Sequence, residues 1–411
     1  MKNIIDYVEN EFNNMNEKKF NSVDSLILSQ VTNYLYDDLV GNINNIKPPV
    51  YFKDLLKAEY FDKMFQSFII PKKNKHLLFA LAASPRFRDI KINYHVSKSD
   101  NNEEKQFSAT TFILNNEYAY LGFRGTDTTV IGWKEDFNMA FVCPIPSQIE
   151  GASYVNKVAN LIPHKLFIGG HSKGGNIAVY SAMSCENNIK PRIKTVYSHD
   201  GPGFREEVIN SKEFQSIKNK INKTIPYSSL VGILLENHEH YHVVKSSGVG
   251  GIMQHDPFWW EVEKDDFVYL NDLSAKSKYV NKTLNTWLSE ISDDKRKQFV
   301  DALFYILNST KSETITDIAI NWKTNLPIIL DAIKHMDPKE KILIMELFKQ
   351  LASLSIKNIS KTDKNYVVLQ KNRYILIIFI LYNSMNKIIL FYSWNIFTNN
   401  VIIKDIFFVI L

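Results

Sequence analysis

Apolar residues recur along this chain in two rhythms, and the changes between them divide it. Up to residue 84 the spacing is mostly helical. The run Asp24-Ser-Leu-Ile-Leu-Ser-Gln-Val-Thr-Asn-Tyr-Leu35 places apolar side chains three and four apart, with Asn21 or Ser22 available to cap its start. Residues 77–83 give a further apolar helix, stopped by Pro85. From 90 to 124 the period shortens to two. Ile92-Asn-Tyr-His-Val96, Phe107-Ser-Ala-Thr-Thr-Phe-Ile-Leu114 and Tyr118-Ala-Tyr-Leu-Gly-Phe123 read as strands, the last two joined by a turn at Asn115-Asn116.

Beyond that hairpin, helix and strand alternate. Residues 152–160 read as a helix, Leu166-Phe-Ile168 as a short strand and 176–183 as a helix of small residues. Ile193-Lys-Thr-Val-Tyr-Ser-His199, Lys223-Thr-Ile-Pro-Tyr227 and Tyr241-His-Val-Val-Lys245 are further strands, the last expected to end the sheet. Such alternation predicts an α/β fold with a doubly wound sheet. From about 265 to 361 the pattern is helical again, with amphipathic runs at 277–291, 293–307 and 339–356. The expected organisation is a helical N-terminal segment over 1–84 packed on the core, an α/β core over 85–262, a helical C-terminal appendage over 263–361, and an apolar tail over 362–411. Within that tail, Asn383, Ser384, Asn386, Lys387 and Lys404 interrupt the apolar residues of 366–411. No stretch attains the roughly 18 unbroken apolar residues of a membrane-spanning helix. Three readings of the tail stand open: buried strands, a segment lying on a membrane surface, or a non-native end from a shifted reading frame.

Composition narrows the picture little. The 411 residues are 45% hydrophobic, 23% charged and 13% aromatic, an ordinary globular balance. A net charge of +5 with lysines scattered among acids gives no footprint for nucleic acid. Two cysteines, Cys143 and Cys185, form neither a disulfide framework nor a Cys-x-x-Cys metal motif. With no apolar core of a signal peptide near Met1, a reducing, cytoplasmic setting is expected.

Candidate chemistry centres on Lys165-Leu-Phe-Ile-Gly-Gly-His-Ser-Lys-Gly-Gly-Asn-Ile-Ala178. Gly-x-Ser-x-Gly alone turns up by chance in roughly one chain in ten of this length. Its setting between a strand and a helix is what gives it weight, because that is the context of a nucleophile elbow. A serine at a sharp turn needs neighbours without bulk, which Gly170 and Gly174 supply. Ser172 is therefore the candidate nucleophile. It needs a histidine to take its proton and an acid to orient that histidine. His255 lies in a glycine-rich loop after the last expected strand, and Asp200 stands at the carboxyl end of the strand following the elbow unit. Asp256, adjacent to His255, is a weaker acid candidate, and Asp200 could instead cap a helix starting near Phe204. Lys173 supplies one backbone donor for an oxyanion hole, and Thr126, in Arg124-Gly-Thr126 at a strand end, a second. His238, His240 and His242 alternate in a way that could suit a metal, but no carboxylate-rich motif accompanies them, so no metal site and no cofactor are expected. His335 is expected to be solvated.

Phe123-Arg-Gly-Thr126, Gly132-Trp-x-x-Asp136 and Gly170-His-Ser-x-Gly-Gly175 together resemble class 3 lipases. The longer set, with Gly170 to Asn176, Asp200-Gly-Pro-Gly-Phe204 and Gln254-His-Asp-Pro257, is similar to a bacterial family of lipase-like α/β-hydrolases known as a domain of unknown function. The resemblance spans roughly residues 20 to 260. It implies an α/β-hydrolase-like fold and a serine acyl hydrolase acting on an ester or lipid substrate through an acyl-enzyme. Ser172 would be the nucleophile and His255 the base, with Thr126 and Lys173 as the oxyanion hole and Asp136 holding the Thr126 hydroxyl. Two departures stand out. In class 3 lipases the acid follows the next strand, and the matching place here, Ser228-Ser-Leu-Val-Gly232, holds no carboxylate. Asp200 would have to substitute from one strand earlier. Lys173 replaces the usual apolar residue after the serine; a cation there could favour an anionic substrate, but a solvated lysine is the expectation. The alternative function is a hydrolase-fold module that binds without turnover. Amide cleavage by the same triad is a third.

Overall fold

In the computed structural model, which describes residues 2–358 apart from 46, 69–70, 236–239 and 250, the period-two runs pair into one sheet of nine strands. In chain order the strands are β1 (Val50–Tyr51), β2 (Lys91–Asp100), β3 (Lys105–Ile113), β4 (Tyr118–Phe123), β5 (Lys165–His171), β6 (Ile193–His199), β7 (Ile221–Pro226), β8 (Tyr241–Val244), β9 (Val262–Glu263), β10 (Asp266–Phe267) and β11 (Tyr269–Leu270). The sheet order is β1-β2-β3-β4-β5-β6-β7-β8-β11, and β9 and β10 form a separate antiparallel pair. Neighbours from β4 to β8 run parallel, while β1 to β4 and β8 with β11 run antiparallel. The sheet thus extends one strand past β8, which the sequence pattern takes as its end. A two-residue strand carries too little periodicity to be read.

Side chains alternate across the sheet, as strand geometry requires. Ala119, Leu121 and Phe123 of β4, with Leu166 and Ile168 of β5, enter a core shared with the helices Pro146–Leu161 and Lys173–Ser184. Tyr120 and Phe167 belong to a second core, shared with the helices Ile4–Asn10, Ser22–Val31 and Pro71–Ala83. Crossover helices therefore serve one face and the N-terminal segment serves the other. The result is a mixed α/β architecture with a parallel centre, helices on both faces and an α/β-hydrolase-like form.

The helix Ser22–Val31 starts where its sequence predicts. Asn21 Oδ1 accepts from Asp24 N at 2.9 Å, and Asn21 N donates to Asp24 Oδ2 at 3.0 Å, a reciprocal cap. Its polar residues are buried with partners. Arg86 donates to both carboxylate oxygens of Asp24, at 2.8 and 2.5 Å. Ser29 Oγ lies 2.7 Å and Ser25 Oγ 3.2 Å from Tyr120 Oη.

Two compact units are present. One comprises Met1–Asp127 with Cys143–Ser274, and the other Thr128–Val142 with the chain from Ala275 onward. In the second unit the helix Val130–Asn138 packs with later helices: Phe137 and Phe304 rings are 5.7 Å apart, Lys134 Nζ is 3.0 Å from Asp301, and Arg296 donates to Ala140 O at 2.8 Å. Residues 128–142, which the sequence pattern places inside the α/β core, thus group with the helical segment after 275. Among the described residues no helix is long and apolar enough to cross a membrane. The tail 366–411 lies outside the described residues.

Candidate active site

Adjacent parallel strands bring the candidate residues to one sheet edge. Phe123 of β4 pairs with Gly170 of β5, and His171 of β5 with His199 of β6. The chain therefore leaves the sheet at Arg124, Ser172 and Asp200 along a common edge. Ser172 sits at φ 58° and ψ −133° as the residue before the helix Lys173–Ser184. A non-glycine residue in such a region costs about 1–3 kcal/mol and persists only where its surroundings hold it. Here the Ser172 N–H donates to His199 O at 2.9 Å, and its carbonyl accepts from Gly175 N at 2.9 Å. A Cβ on Gly170 would stand 2.3 Å from the Gly174 carbonyl carbon, and one on Gly174 would stand 2.2 Å from Phe123 O. Both positions exclude any larger residue. A Cβ on Gly125 would come within 3.4 Å of Ser172 Cβ, so the Arg124-Gly125-Thr126 segment runs beside the serine. Thr126 is half-buried there.

Asp200 is fully buried, with φ 48°, and its N–H donates to Thr224 O at 2.7 Å. Its two carboxylate oxygens are used differently. Oδ1 accepts from Ser229 Oγ at 2.5 Å and from Gly232 N at 3.0 Å. Oδ2 meets His255 Nδ1 at 2.6 Å. His255 ends the short helix Gly251–His255, and its side chain keeps about a fifth of its surface exposed (21%). The structure thus brings Asp200 and His255 into contact at the edge that carries Ser172. The segment from Ser228 to Gly232, which holds no carboxylate of its own, donates these two hydrogen bonds to Asp200. Asp200 caps no helix: the following one, Glu206–Ile209, has Arg205 as its N-cap.

Nearby groups fix His255. His171 Nε2 lies 2.8 Å from His255 O, and the two rings are 4.3 Å apart. Burial, and then the neighbouring His255, holds the His171 pKa well below the ordinary histidine value. It is therefore neutral and donates from Nε2 to that carbonyl. Trp260 Nε1 donates to Gln254 O at 2.9 Å, one residue before the base. The weaker acid candidate, Asp256, accepts from Phe258 N at 3.0 Å and faces Lys73 at 3.7 Å. It serves as a cap.

One expectation is overturned. Lys173 is not solvated but almost fully buried, at 1% exposure, and its Nζ donates to Gln106 O at 3.2 Å and Gln106 Oε1 at 3.0 Å. A long side chain next to a tight turn finds internal acceptors on β3, and nothing local in the sequence signals that. Asp136 lies on the helix Val130–Asn138 of the second unit. His335 is exposed and bonds within its own helix to Asp331 O at 2.9 Å. His238 lies outside the described residues; His242 is exposed and packs near the Tyr269 ring at 5.4 Å. Among the described residues no three His, Cys, Asp or Glu side chains converge as a metal site would need. Sequence reasoning missed Ser229, Gly232 and His171. Only His171, inside the glycine motif, carried any signal.

The arrangement can orient an imidazole by a buried carboxylate, at the sheet edge that carries a serine on a constrained turn at the start of a helix. Comparison with known proteins places it. A search of curated proteins finds no match. Among solved structures, the Rhizomucor miehei lipase propeptide complex is similar at 17% identity, over 38% of this chain and 57% of that chain, with a TM-score of 0.30. This chain therefore spans a little over half the length of that lipase structure. The family model described as Mbeg1-like matches residues 81–305, which take in every candidate residue from Thr126 to His255. That match covers more than half of the 411 residues, and the chain belongs to the Mbeg1-like family.

Proposed function

We propose that this chain is a serine acyl hydrolase acting on an ester or lipid through a covalent acyl-enzyme. The observation that carries the reading is the 2.6 Å contact between His255 Nδ1 and Asp200 Oδ2, at the sheet edge where Ser172 is held at positive φ. With Nδ1 engaged by the carboxylate, Nε2 is the nitrogen left to act as base. It takes the Ser172 proton as Oγ attacks the substrate carbonyl carbon. The resulting oxyanion is met by the Lys173 N–H and by Thr126. The imidazolium, steadied by Asp200, returns the proton to the leaving alcohol as the ester C–O bond breaks. Water then gives its proton to His255 Nε2 and attacks the acyl-enzyme, and the collapse releases the acid and restores Ser172. Membership of the Mbeg1-like family supports the reading at the level of a lipase-like relationship.

The test is labelling by a fluorophosphonate probe of the native chain, Ser172→Ala, His255→Ala and Asp200→Asn. Rapid labelling that vanishes in Ser172→Ala and collapses in His255→Ala is expected. Native labelling no faster than that of Ser172→Ala would end the hydrolase reading and leave a module that binds without turnover.

A further inference from the structure

Two stretches of sequence have no part in the reaction above: Asn176, at the end of the glycine motif, and Gly201-Pro-Gly203, directly after the acid. The structure joins them. Asn176 lies four residues beyond Ser172 on the helix Lys173–Ser184 and is 1% exposed. Its amide nitrogen donates to Pro202 O at 3.2 Å and to Gly203 O at 2.9 Å. Its amide oxygen accepts from Gln148 Nε2 at 2.7 Å. Gln148 is held in turn, its Oε1 accepting from Ile145 N at 2.9 Å. Both amide hydrogens of Asn176 thus serve one turn, and a third bond fixes which way the amide faces.

That turn has little freedom of its own. A Cβ on Gly201 would stand 3.0 Å from both Asn176 N and Ser172 O, so the turn lies directly on the start of the serine-bearing helix. Gly203 N donates to Leu234 O at 2.9 Å at its far end. The residue before the turn, Asp200, holds φ 48° as a non-glycine residue. Such a conformation persists only where neighbouring contacts over-determine it. Contacts from the Ser228–Gly232 side hold the carboxylate. The backbone following it is held at Gly203 N by Leu234 O, and its Pro202 and Gly203 carbonyls are held by Asn176. Because Asn176 and Ser172 bound the same first helical turn, the clamp sets the acid's backbone in the frame of the nucleophile.

We propose that Asn176 is a positioning residue for Asp200, clamping the Gly201–Gly203 turn so that the carboxylate meets His255. This rests on the hydrolase reading for its kinetic consequence, while the geometry can be read without turnover. Aspartate at this position would present no amide hydrogens and would set an acceptor against two carbonyls. Alanine would leave both carbonyls without donors.

The experiment compares the native full chain with Asn176→Asp and Asn176→Ala by three measurements: fluorophosphonate labelling rate against pH, the low-field proton NMR resonance of His255 Nδ1–H, and thermal unfolding. The titratable groups around His255 are Asp200, His171 and Asp256 with Lys73 beyond it, and Asn176 bonds to none of them. A shift of the pH profile in these variants therefore reports the Asp200–His255 contact. Labelling slower by up to about 100-fold is expected, the scale of a roughly 1 Å misplacement. The pH profile should depart from the native one, and the low-field resonance should be lost. Should Asn176→Asp or Asn176→Ala fail to fold, Gln148→Ala, which removes the bond orienting the amide together with the bond from Ile145 N, is read in its place, with the same changes on a smaller scale. Native labelling, native pH profile and native resonance would overturn the proposal, and so would a lower Tm with the other two unchanged. If the native chain does not label at all, the hydrolase reading falls, and retention or loss of the resonance still decides the role of Asn176.

Discussion

Asp200 divides its two carboxylate oxygens between two sets of partners. Ser229 and Gly232 take one, and His255 takes the other. Asp200→Asn keeps the shape but offers an amide where an acceptor is needed, and labelling should fall by about 10⁴, the scale seen when a triad acid is made neutral. Ser229→Ala removes one donor to a charged group, worth about 1.5–3 kcal/mol. It should slow labelling by at least tenfold without abolishing it, measured under the same conditions. Lys173 is a different case. Its proposed catalytic contribution is a backbone N–H, which any residue but proline supplies. Lys173→Leu should therefore label at close to the native rate while its Tm drops, since Gln106 loses a buried partner. Equal losses in rate and Tm would show instead that the ammonium takes part in the chemistry. At this scale the sequence was legible where a motif fixes a residue's neighbours, as at Gly170, Ser172 and Gly174. It was opaque where the partner lies on a distant strand, as with Lys173 and Gln106.

Among the elements, the helix Ser22–Val31 is the most exacting to dock. It places Asp24, Ser25 and Ser29 in a buried interface, and each must find a partner there. Arg86 answers Asp24, and its Nη1 and Nη2 also donate to Asn13 O and Lys19 O at 2.9 and 3.0 Å. Arg86→Met would strand a buried carboxylate and should destabilise by about 3–5 kcal/mol, whereas Asn21→Ala, which removes the cap and the 3.0 Å bond from Asn21 Nδ2 to Tyr7 Oη, should cost about 1–2 kcal/mol. Denaturant titrations of the two variants check the ratio. The cap of this helix could be read in the sequence because capping is local. Its polar docking could not, because Arg86 and Tyr120 lie far along the chain. The helix Trp322–His335 falls within the stretch read as helical, though outside the three amphipathic runs, and it carries Pro327 inside it. The strands β9 to β11 are too short to show a period.

At the scale of the molecule, acid should be the sensitive direction. His199 is fully buried between Thr224 Oγ1 at 2.7 Å and Ser25 Oγ at 2.9 Å, and burial lowers its pKa to about 3 from an ordinary 6.5. His171 is shifted the same way by burial. A group whose pKa is lower folded than unfolded binds more protons unfolded. Its contribution to stability is therefore complete above about pH 6.5 and is lost as the pH falls from there toward the folded value, with a slope of about 1.4 kcal/mol per pH unit for each histidine. Chemical denaturation between pH 7 and pH 5 should show that slope, and His199→Gln should reduce it by one histidine's share. The division into two units carries its own expectation. A chain ending at Ser274 keeps Phe137, Lys134 and Ala140 but loses Phe304, Asp301 and Arg296, their partners. It should expose apolar surface, bind a hydrophobic dye and self-associate on size exclusion. This division was not legible in the sequence, since 128–142 sits between two strands of the sheet and only its distant partners assign it elsewhere.

The order of the strands also bears on how the chain is made. From β1 to β8 each strand pairs with the one synthesised just before it. A nascent chain can therefore add its sheet one strand at a time, each pairing with a strand already made. Ser172 takes its place early in that sequence, but His255 emerges 83 residues later (255 minus 172). A chain still on the ribosome would already hold its turn and its acid while lacking a base. On the proposed reading, the serine would be armed only once His255 has emerged.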